Sequence, residues 1–252
     1  MRIAIVTGAS SGMGRETMIQ MADRFGGLDE IWAIARRAER MKELQSQIPT
    51  KLRVIPLDLA EPAAWHELEE LLDQHRPDVK LLVNSAGYGK IGKVGSASLA
   101  DETGMVGVNC QALCAVTNLV LPFMSKNSRI IQYASSAAFL PQPKFAIYAA
   151  TKAFVLSYSR ALSAELQSQK IYVTAVCPGP VRTEFFDIAE TSASIPVYKK
   201  LAMADPEKVV ALALRDSMMG KDVSVYGILM KAFWILTKVL PHRLILNFKW
   251  YQ

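Results

Sequence analysis

The sequence predicts an α/β fold in which a doubly wound parallel sheet carries helices on both faces, followed by a basic amphipathic extension. Three observations carry this prediction. Short, near-continuous apolar runs alternate with helix-length amphipathic segments, the pattern of strands buried on both faces. The chain has 252 residues, 51% hydrophobic and 21% charged, and no repeat, low-complexity stretch or linker divides it, so one large core is expected. The chemically suggestive residues all follow predicted strands, at the carboxyl edge where open α/β sheets bind ligands.

In chain order, a strand over Ile3–Thr7 runs into the Gly8–Gly14 turn and a helix over Arg15–Phe25. A strand over Ile31–Ala35 ends at Arg36, before a helix over Ala38–Gln47. A third, Leu52–Leu57, ends at Asp58, before Pro62–Gln74. A fourth, Leu81–Asn84, opens into Asn84–Gly87, and Leu99–Phe123 reads as the next helix. Arg129–Ala134 ends at Ser135, ahead of a helix over Ala146–Ser168. Tyr172–Cys177 ends at Pro178-Gly179. Asp205-Pro206 joins a cap residue to a first-turn proline and starts a helix reaching Met218. A weaker run, Val223–Tyr226, is the seventh strand candidate. Repeated strand–helix–strand units imply right-handed crossovers and hence double winding.

Composition narrows the function classes. Met1–Val6 is too short for the apolar core of a signal peptide, and no run of ~18 uncharged apolar residues is present, so a cytoplasmic chain without a spanning helix is expected. Cys110, Cys114 and Cys177 are odd in number and have no nearby His partners; they read as reduced packing thiols, and no metal site is expected. The net charge is +6, but residues 221–252 hold five basic residues against Asp222 alone, a net of +4 that leaves +2 for the first 220. A nearly neutral body without a dedicated motif argues against nucleic-acid binding.

The turn Thr7-Gly8-Ala9-Ser10-Ser11-Gly12-Met13-Gly14 follows a strand and opens a helix. Glycine there removes the Cβ that would block a pyrophosphate, and the helix start offers free N–H groups and a positive dipole end. The spacing is Gly-x-x-x-Gly-x-Gly, not the common Gly-x-Gly-x-x-Gly, and a tight turn without ligand is the plain alternative. The second strand ends Ile34-Ala35-Arg36-Arg37, without the acidic residue that binds a ribose 2′-hydroxyl. Guanidinium groups there suit a 2′-phosphate, so NADP(H) is expected; a solvated basic helix start is the alternative. Asp58, followed by Leu59, is placed to reach the adenine amino group or to cap the next helix.

Tyr148 and Lys152 stand at i and i+4 on one helix face, and Ser135 lies thirteen positions before the tyrosine. A phenol titrates near ~10, and an adjacent ammonium and a cationic nicotinamide would lower that value. Tyr148 would then donate a proton to a carbonyl oxygen as hydride arrives, or remove one in reverse. Ser135 would hold the developing alkoxide, and Asn109 a water linking Lys152 to solvent. Set against this is a solvent-facing Tyr/Lys pair without a role.

With the glycine turn, Asp58, Asn84-Ser85-Ala86-Gly87, Asn109, Ser135, Tyr148-Ala149-Ala150-Thr151-Lys152 and Pro178-Gly179-Pro180-Val181-Arg182-Thr183 together, the chain resembles the short-chain dehydrogenase/reductase superfamily in its compact single-domain branch. The resemblance covers about residues 1–227. It implies a seven-stranded Rossmann sheet, a nicotinamide cofactor and a Ser/Tyr/Lys/Asn mechanism. It also implies that Thr183 and the Val181 backbone orient the nicotinamide, that Lys152 holds the ribose, and that the chain is a homodimer or homotetramer. Pro178, Gly179, Asn84, Ala86 and Gly87 join the cofactor-binding set. The family often has a second Asn where Ser85 stands, a change of little expected effect. Ser136 stays open as an alternative to Ser135.

By the same resemblance, 184–203 is the substrate-covering segment of the 1–227 domain. Phe185 and Phe186 there, with Phe139 and Phe145, make an apolar wall suited to a hydrophobic or amphipathic carbonyl or alcohol, although ordinary loop packing has the same composition. Residues 228–252 depart from the family pattern. Ile228–Leu240 is apolar, with Lys231 and Lys238 seven apart, too short and charged to span a bilayer. It would cover the pocket, pack at a subunit interface, lie on an anionic membrane surface or extend the core. The expected activity is NADP(H)-dependent interconversion of a ketone or aldehyde with an alcohol. The rivals are an NAD-linked alcohol dehydrogenase and a non-catalytic dinucleotide-binding regulator.

Overall fold

The structure, a computed structural model, describes residues 1–189 and 203–246. Seven strands, Arg2–Thr7 (β1), Glu30–Ile34 (β2), Lys51–Ile55 (β3), Asp78–Asn84 (β4), Met124–Tyr133 (β5), Tyr172–Val176 (β6) and Val223–Ser224 (β7), form one sheet in the order β3-β2-β1-β4-β5-β6-β7. Every neighbouring pair is parallel. The order reverses between β1 and β4, so the connections leaving these strands diverge and open a crevice at their carboxyl ends.

Alternation along the strands builds a core on each face. Ile3 and Ile5 of β1 point to one side and meet Leu68 and Leu72 of α3 (Pro62–His75), Val116 and Val120 of α5 (Leu113–Val120), and Leu162 of α6 (Ala146–Leu166). Ala4 and Val6 point to the other and meet Met18 and Met21 of α1 (Gly12–Arg24), Met41 of α2 (Ala38–Lys42), and Val210 and Leu214 of α8 (Pro206–Met218). Side chains of successive strand residues go to opposite faces, so a strand covered on both sides needs apolar residues at every position. β1 and β2 satisfy this fully.

Two predicted elements differ. β5 begins at Met124 rather than Arg129, because a register shift between Val79 and Leu81 lets the polar stretch Ser125–Ser128 join the ladder, with Asn127 at φ 68°. The predicted helix Leu99–Phe123 is continuous but changes its winding: α4 (Leu99–Val106), a π-helical stretch Gly107–Ala112, α5, and a tight 3-10 turn Leu121–Phe123. By length and composition this segment is apolar enough to cross a membrane, contrary to the sequence expectation, but Ala112, Val116 and Val120 pack in the core beneath the sheet. The remaining helices are α4's neighbour α7 (Phe185–Ala189) near the crevice, and the extension, α9 (Ile228–Val239) and α10 (His242–Leu246).

Candidate active site

A cavity of about 800 Å³ occupies the crevice, lined by residues following six of the seven strands. Its floor is the joint between β1 and β4. The Thr7 hydroxyl accepts from the Ser85 and Ala86 N–H groups at 3.1 and 3.2 Å, tying the two strand ends together. Gly8 must then pass so close that a Cβ would lie 2.7 Å from the Ala86 nitrogen, and its φ of +65° favours glycine as well. Gly14 lies beneath Gly8 and does not reach the cavity. Gly8, Ser10, Ser11, Gly12 and Met13 do. Ser11, at the start of α1, makes no side-chain cap, so the first N–H groups of that helix keep no side-chain acceptor where they meet the cavity. Free N–H groups at the positive end of a helix dipole fit the diphosphate of a dinucleotide.

At one end of the cavity lie the charged residues. Arg37 donates to the Ser10 and Ser11 hydroxyls at 3.3 and 2.9 Å and to the Glu184 carboxylate at 3.0 Å. Arg40 donates to the other oxygen of the same carboxylate at 2.6 Å. Burial pushes the Glu184 carboxyl up, but the bonds from Arg37 and Arg40 outweigh it and hold the group below its ordinary value. Arg36 is largely exposed and stands 3.7 Å from Asp58. Asp58 also accepts from the Ala60 N–H at 3.1 Å, while Glu61 occupies the cap position of α3; Asp58 closes a turn instead of capping the helix.

The other end is buried. Tyr148 and Lys152 stand one turn apart near the start of α6, each 7% exposed. Phe145 stacks on the Tyr148 ring at 4.3 Å between centroids, and Phe185 covers it at 5.2 Å. Ser135, at the end of β5, lines the cavity near the Tyr148 phenol and accepts from the Ala137 N–H at 3.1 Å. Ser136 lines the cavity as well, and of the two serines it is Ser135 whose side chain acts on the Tyr148 phenol. Burial pushes the Tyr148 phenol well above its ordinary value, with the Ser135 bond a smaller opposing effect. The expectation of a lowered phenol pKa is therefore reversed by the protein's own groups, because the aromatic cover excludes water from the site where a phenolate would need it.

Lys152 lies behind Tyr148, with Nζ 5.7 Å from the ring centroid, and donates to the Tyr133 carbonyl at 2.7 Å. Burial pushes its ammonium down to about 8. Asn109, in the π-helical stretch, spends its side chain on protein partners. Nδ2 donates to the Tyr88 carbonyl at 2.9 Å and the Thr151 hydroxyl at 3.0 Å, and Oδ1 accepts from the Tyr88 N–H at 3.0 Å. Gly87 passes between Asn109 and Lys152; a Cβ there would lie 2.8 Å from Asn109 Oδ1 and 3.6 Å from Lys152 Nζ.

Most of the residues singled out by sequence meet at the cavity: Leu59, Ala86, Gly87, Pro178, Gly179, Val181, Thr183, Phe185 and Phe186 line it with those above. Three do not. Asn84 is buried and donates to Thr117 Oγ1 at 3.0 Å, so it braces β4 against α5. Asn109 and Lys152 lie behind the wall. Phe139, expected on the substrate side, faces away: its ring stacks on Trp234 at 5.9 Å and meets Phe233 at 6.2 Å. The residues that take its place, Met230 and Phe233, come from α9. Of the expected substrate-covering segment 184–203, residues 190–202 lie outside those described. Sequence reasoning passed over Tyr88, Gln142 and Asp101 on the wall and the role of Glu184 as an arginine partner. Among the described residues no group of three His, Cys, Asp or Glu side chains is placed to hold a metal.

The family model for short chain dehydrogenases matches residues 2–192. Sulfoacetaldehyde reductase 2 of Chromohalobacter salexigens is 30% identical over 235 residues, covering 88% of this chain and 91% of that protein. A short-chain dehydrogenase from Sphingobium yanoikuyae, solved in complex with NADPH, superposes with a TM-score of 0.80 at 26% identity, covering 100% of this chain and 98% of that one. A short-chain dehydrogenase/reductase from Burkholderia phymatum, solved with NAD, shares the fold with a TM-score of 0.79 at 22% identity, covering 93% and 92%.

Proposed function

The chain belongs to the short-chain dehydrogenase/reductase family and is an oxidoreductase; from that premise we propose that it uses NADP(H) to interconvert a ketone or aldehyde with an alcohol on a hydrophobic or amphipathic small molecule. The observation that carries this reading is the buried pair Tyr148 and Lys152, with Ser135 on the wall, at the inner end of a cavity whose outer end is the glycine turn and the arginines. The bound cofactor would supply or accept the hydride. Everything else falls to the chain. The free N–H groups of α1 hold the diphosphate, and Arg36 and Arg37 take the 2′-phosphate. Asp58 reaches the adenine, and Val181 and Thr183 hold the nicotinamide end.

Tyr148 is the general acid in reduction. Burial keeps its phenol protonated, so the proton is present on Oη throughout the physiological range. Ser135 orients that hydroxyl and shares the charge growing on the substrate oxygen. Lys152, buried behind the ring, supplies the cation that stabilises a transient phenolate. Asn109 clamps the loop after β4 and so fixes the wall against which Lys152 is set. Phe145, Phe185, Phe186, Met230 and Phe233 favour an apolar group beside the reacting carbon.

Steady-state oxidation of NADPH and NADH against a panel of apolar ketones and aldehydes, with affinities for both cofactors by fluorescence, tests the reading. NADPH-linked turnover and tighter NADPH binding are expected. Equal affinities would remove the cofactor assignment, and tight binding without turnover on any carbonyl would favour a regulator.

A further inference from the structure

We propose that the outward face of α9, continued by α10, docks on an anionic lipid surface. The inward face of α9 is accounted for: Met230 and Phe233 line the cavity, and Trp234 stacks on Phe139. The outward face is apolar too. Ile228 is 86% exposed, Ile235 61% and Val239 73%. At about 100° per residue these three share one line along the helix. Leu229 and Leu236 flank that line on one side, and Lys231 and Lys238 on the other. The Lys238 ammonium sits over the Trp234 ring at 4.0 Å, which holds one cation beside the ridge. Past Leu240, Arg243 and Leu244 of α10 are exposed as well.

The charge pattern names the partner. Residues 223–252 contain Lys231, Lys238, Arg243 and Lys249 and no Asp or Glu. A second copy meeting this face across a twofold axis would bring Lys231, Lys238 and Arg243 against a patch that offers no carboxylate, because an isologous contact sets the same surface on both copies. A layer of lipid phosphates offers the opposite sign to the cations and acyl carbon to the ridge. A helix of 12 residues is ~18 Å long. That is too short to span a bilayer and suits a helix lying in the headgroup region. Docking in this way would hold the cavity, whose wall is the other side of α9, beside the acyl layer. That last consequence rests on the oxidoreductase reading; the docking itself does not.

The test is co-sedimentation of the full chain with vesicles of equimolar phosphatidylglycerol and phosphatidylcholine, against vesicles of phosphatidylcholine alone. Binding to the anionic vesicles is expected to exceed binding to the neutral ones roughly tenfold or more and to weaken in high salt. The double variant Ile235→Asp/Val239→Asp and the charge reversal Lys231→Glu/Lys238→Glu are each expected to abolish it while keeping the wild-type affinity for NADPH, which reports an intact fold. Wild-type protein that stays in the supernatant, or variants that sediment as well as wild type, would overturn the proposal. So would a concentration-dependent dimer, seen in sedimentation velocity and lost in the Ile235→Asp/Val239→Asp protein, without vesicle binding. Because vesicle binding is read without turnover, an inactive protein that still sediments refutes the oxidoreductase reading alone.

Discussion

The two ends of the cavity are built in opposite ways. At the inner end, Tyr148 and Lys152 are buried, and their proton affinities are moved by exclusion of water, the phenol up and the ammonium down to about 8. At the outer end, Arg36, Arg37 and Glu184 stay between a third and three-quarters exposed and are arranged by pairing. Buried groups fix a protonation state; exposed groups fix a preference among ions, more weakly, since solvent screens them. The titratable phenol and ammonium thus lie where water is absent, and the arginine–carboxylate cluster where water is present.

The sharpest way to break this contrast is Tyr148→Phe. If the buried end alone carries the chemistry, turnover falls by roughly a hundred- to ten-thousand-fold while NADPH affinity holds. Residual activity near wild type would dismantle the inner end as described. The next effect is on stability. Below pH 8 the folded protein must carry a buried ammonium at Lys152, and in the unfolded chain that group titrates near ~10.4, so the fold gains stability as pH rises from about 8 to ~10.4, on the order of 3 kcal/mol in all and about 1 kcal/mol of it by pH 9. Denaturant titrations of wild type and Lys152→Met between pH 7 and 9 should show a wild-type gain that the variant lacks; parallel curves would mean that Lys152 is not desolvated.

Smaller effects belong to the exposed end. Arg37→Ala should weaken NADPH roughly ten- to thirtyfold in a binding titration and leave NADH unchanged, as expected for losing charge-assisted bonds to one phosphate. An equal loss for both cofactors would mean that Arg37 serves only the serines of the turn. Glu184→Gln frees both guanidinium groups and should tighten NADPH a few-fold at most, because pairs this exposed are worth little. Tightening beyond about tenfold would show that the exposed end is not screened, and the contrast between the two ends would fail.

The fold was legible because its signal is local. β1 and β2 are apolar at every position since both faces are covered, and Asp205-Pro206 marks the start of α8 by its own chemistry. The glycine turn, Arg37, Ser135 and Tyr148 were legible for the same reason: each follows a strand whose end can be read. What escaped depends on distant neighbours. The raised Tyr148 pKa comes from Phe145 and Phe185, and the latter lies 37 positions away in a segment without periodicity. The π-helical stretch at Asn109 has the same apolar period as the α-helix around it. Phe139 reads as a wall residue until α9 arrives and takes it into a ring stack. In each case the deciding contact has no counterpart in the nearby sequence.

Glu184 stands immediately after Thr183 and immediately before the aromatic pair Phe185-Phe186, yet its carboxylate is held by Arg37 and Arg40. The first residue of the substrate side is thus fastened to the far end of the dinucleotide groove. A phosphate arriving at those arginines and the carboxylate already there compete for the same donors. Thermodynamics makes such competition mutual: whatever occupancy at the arginines does to the ordering of Phe185, ordering of Phe185 does in equal measure to that occupancy. If the arginines take a cofactor phosphate as proposed, that phosphate and any substrate held by Phe185 would pull on the same side chain, Glu184.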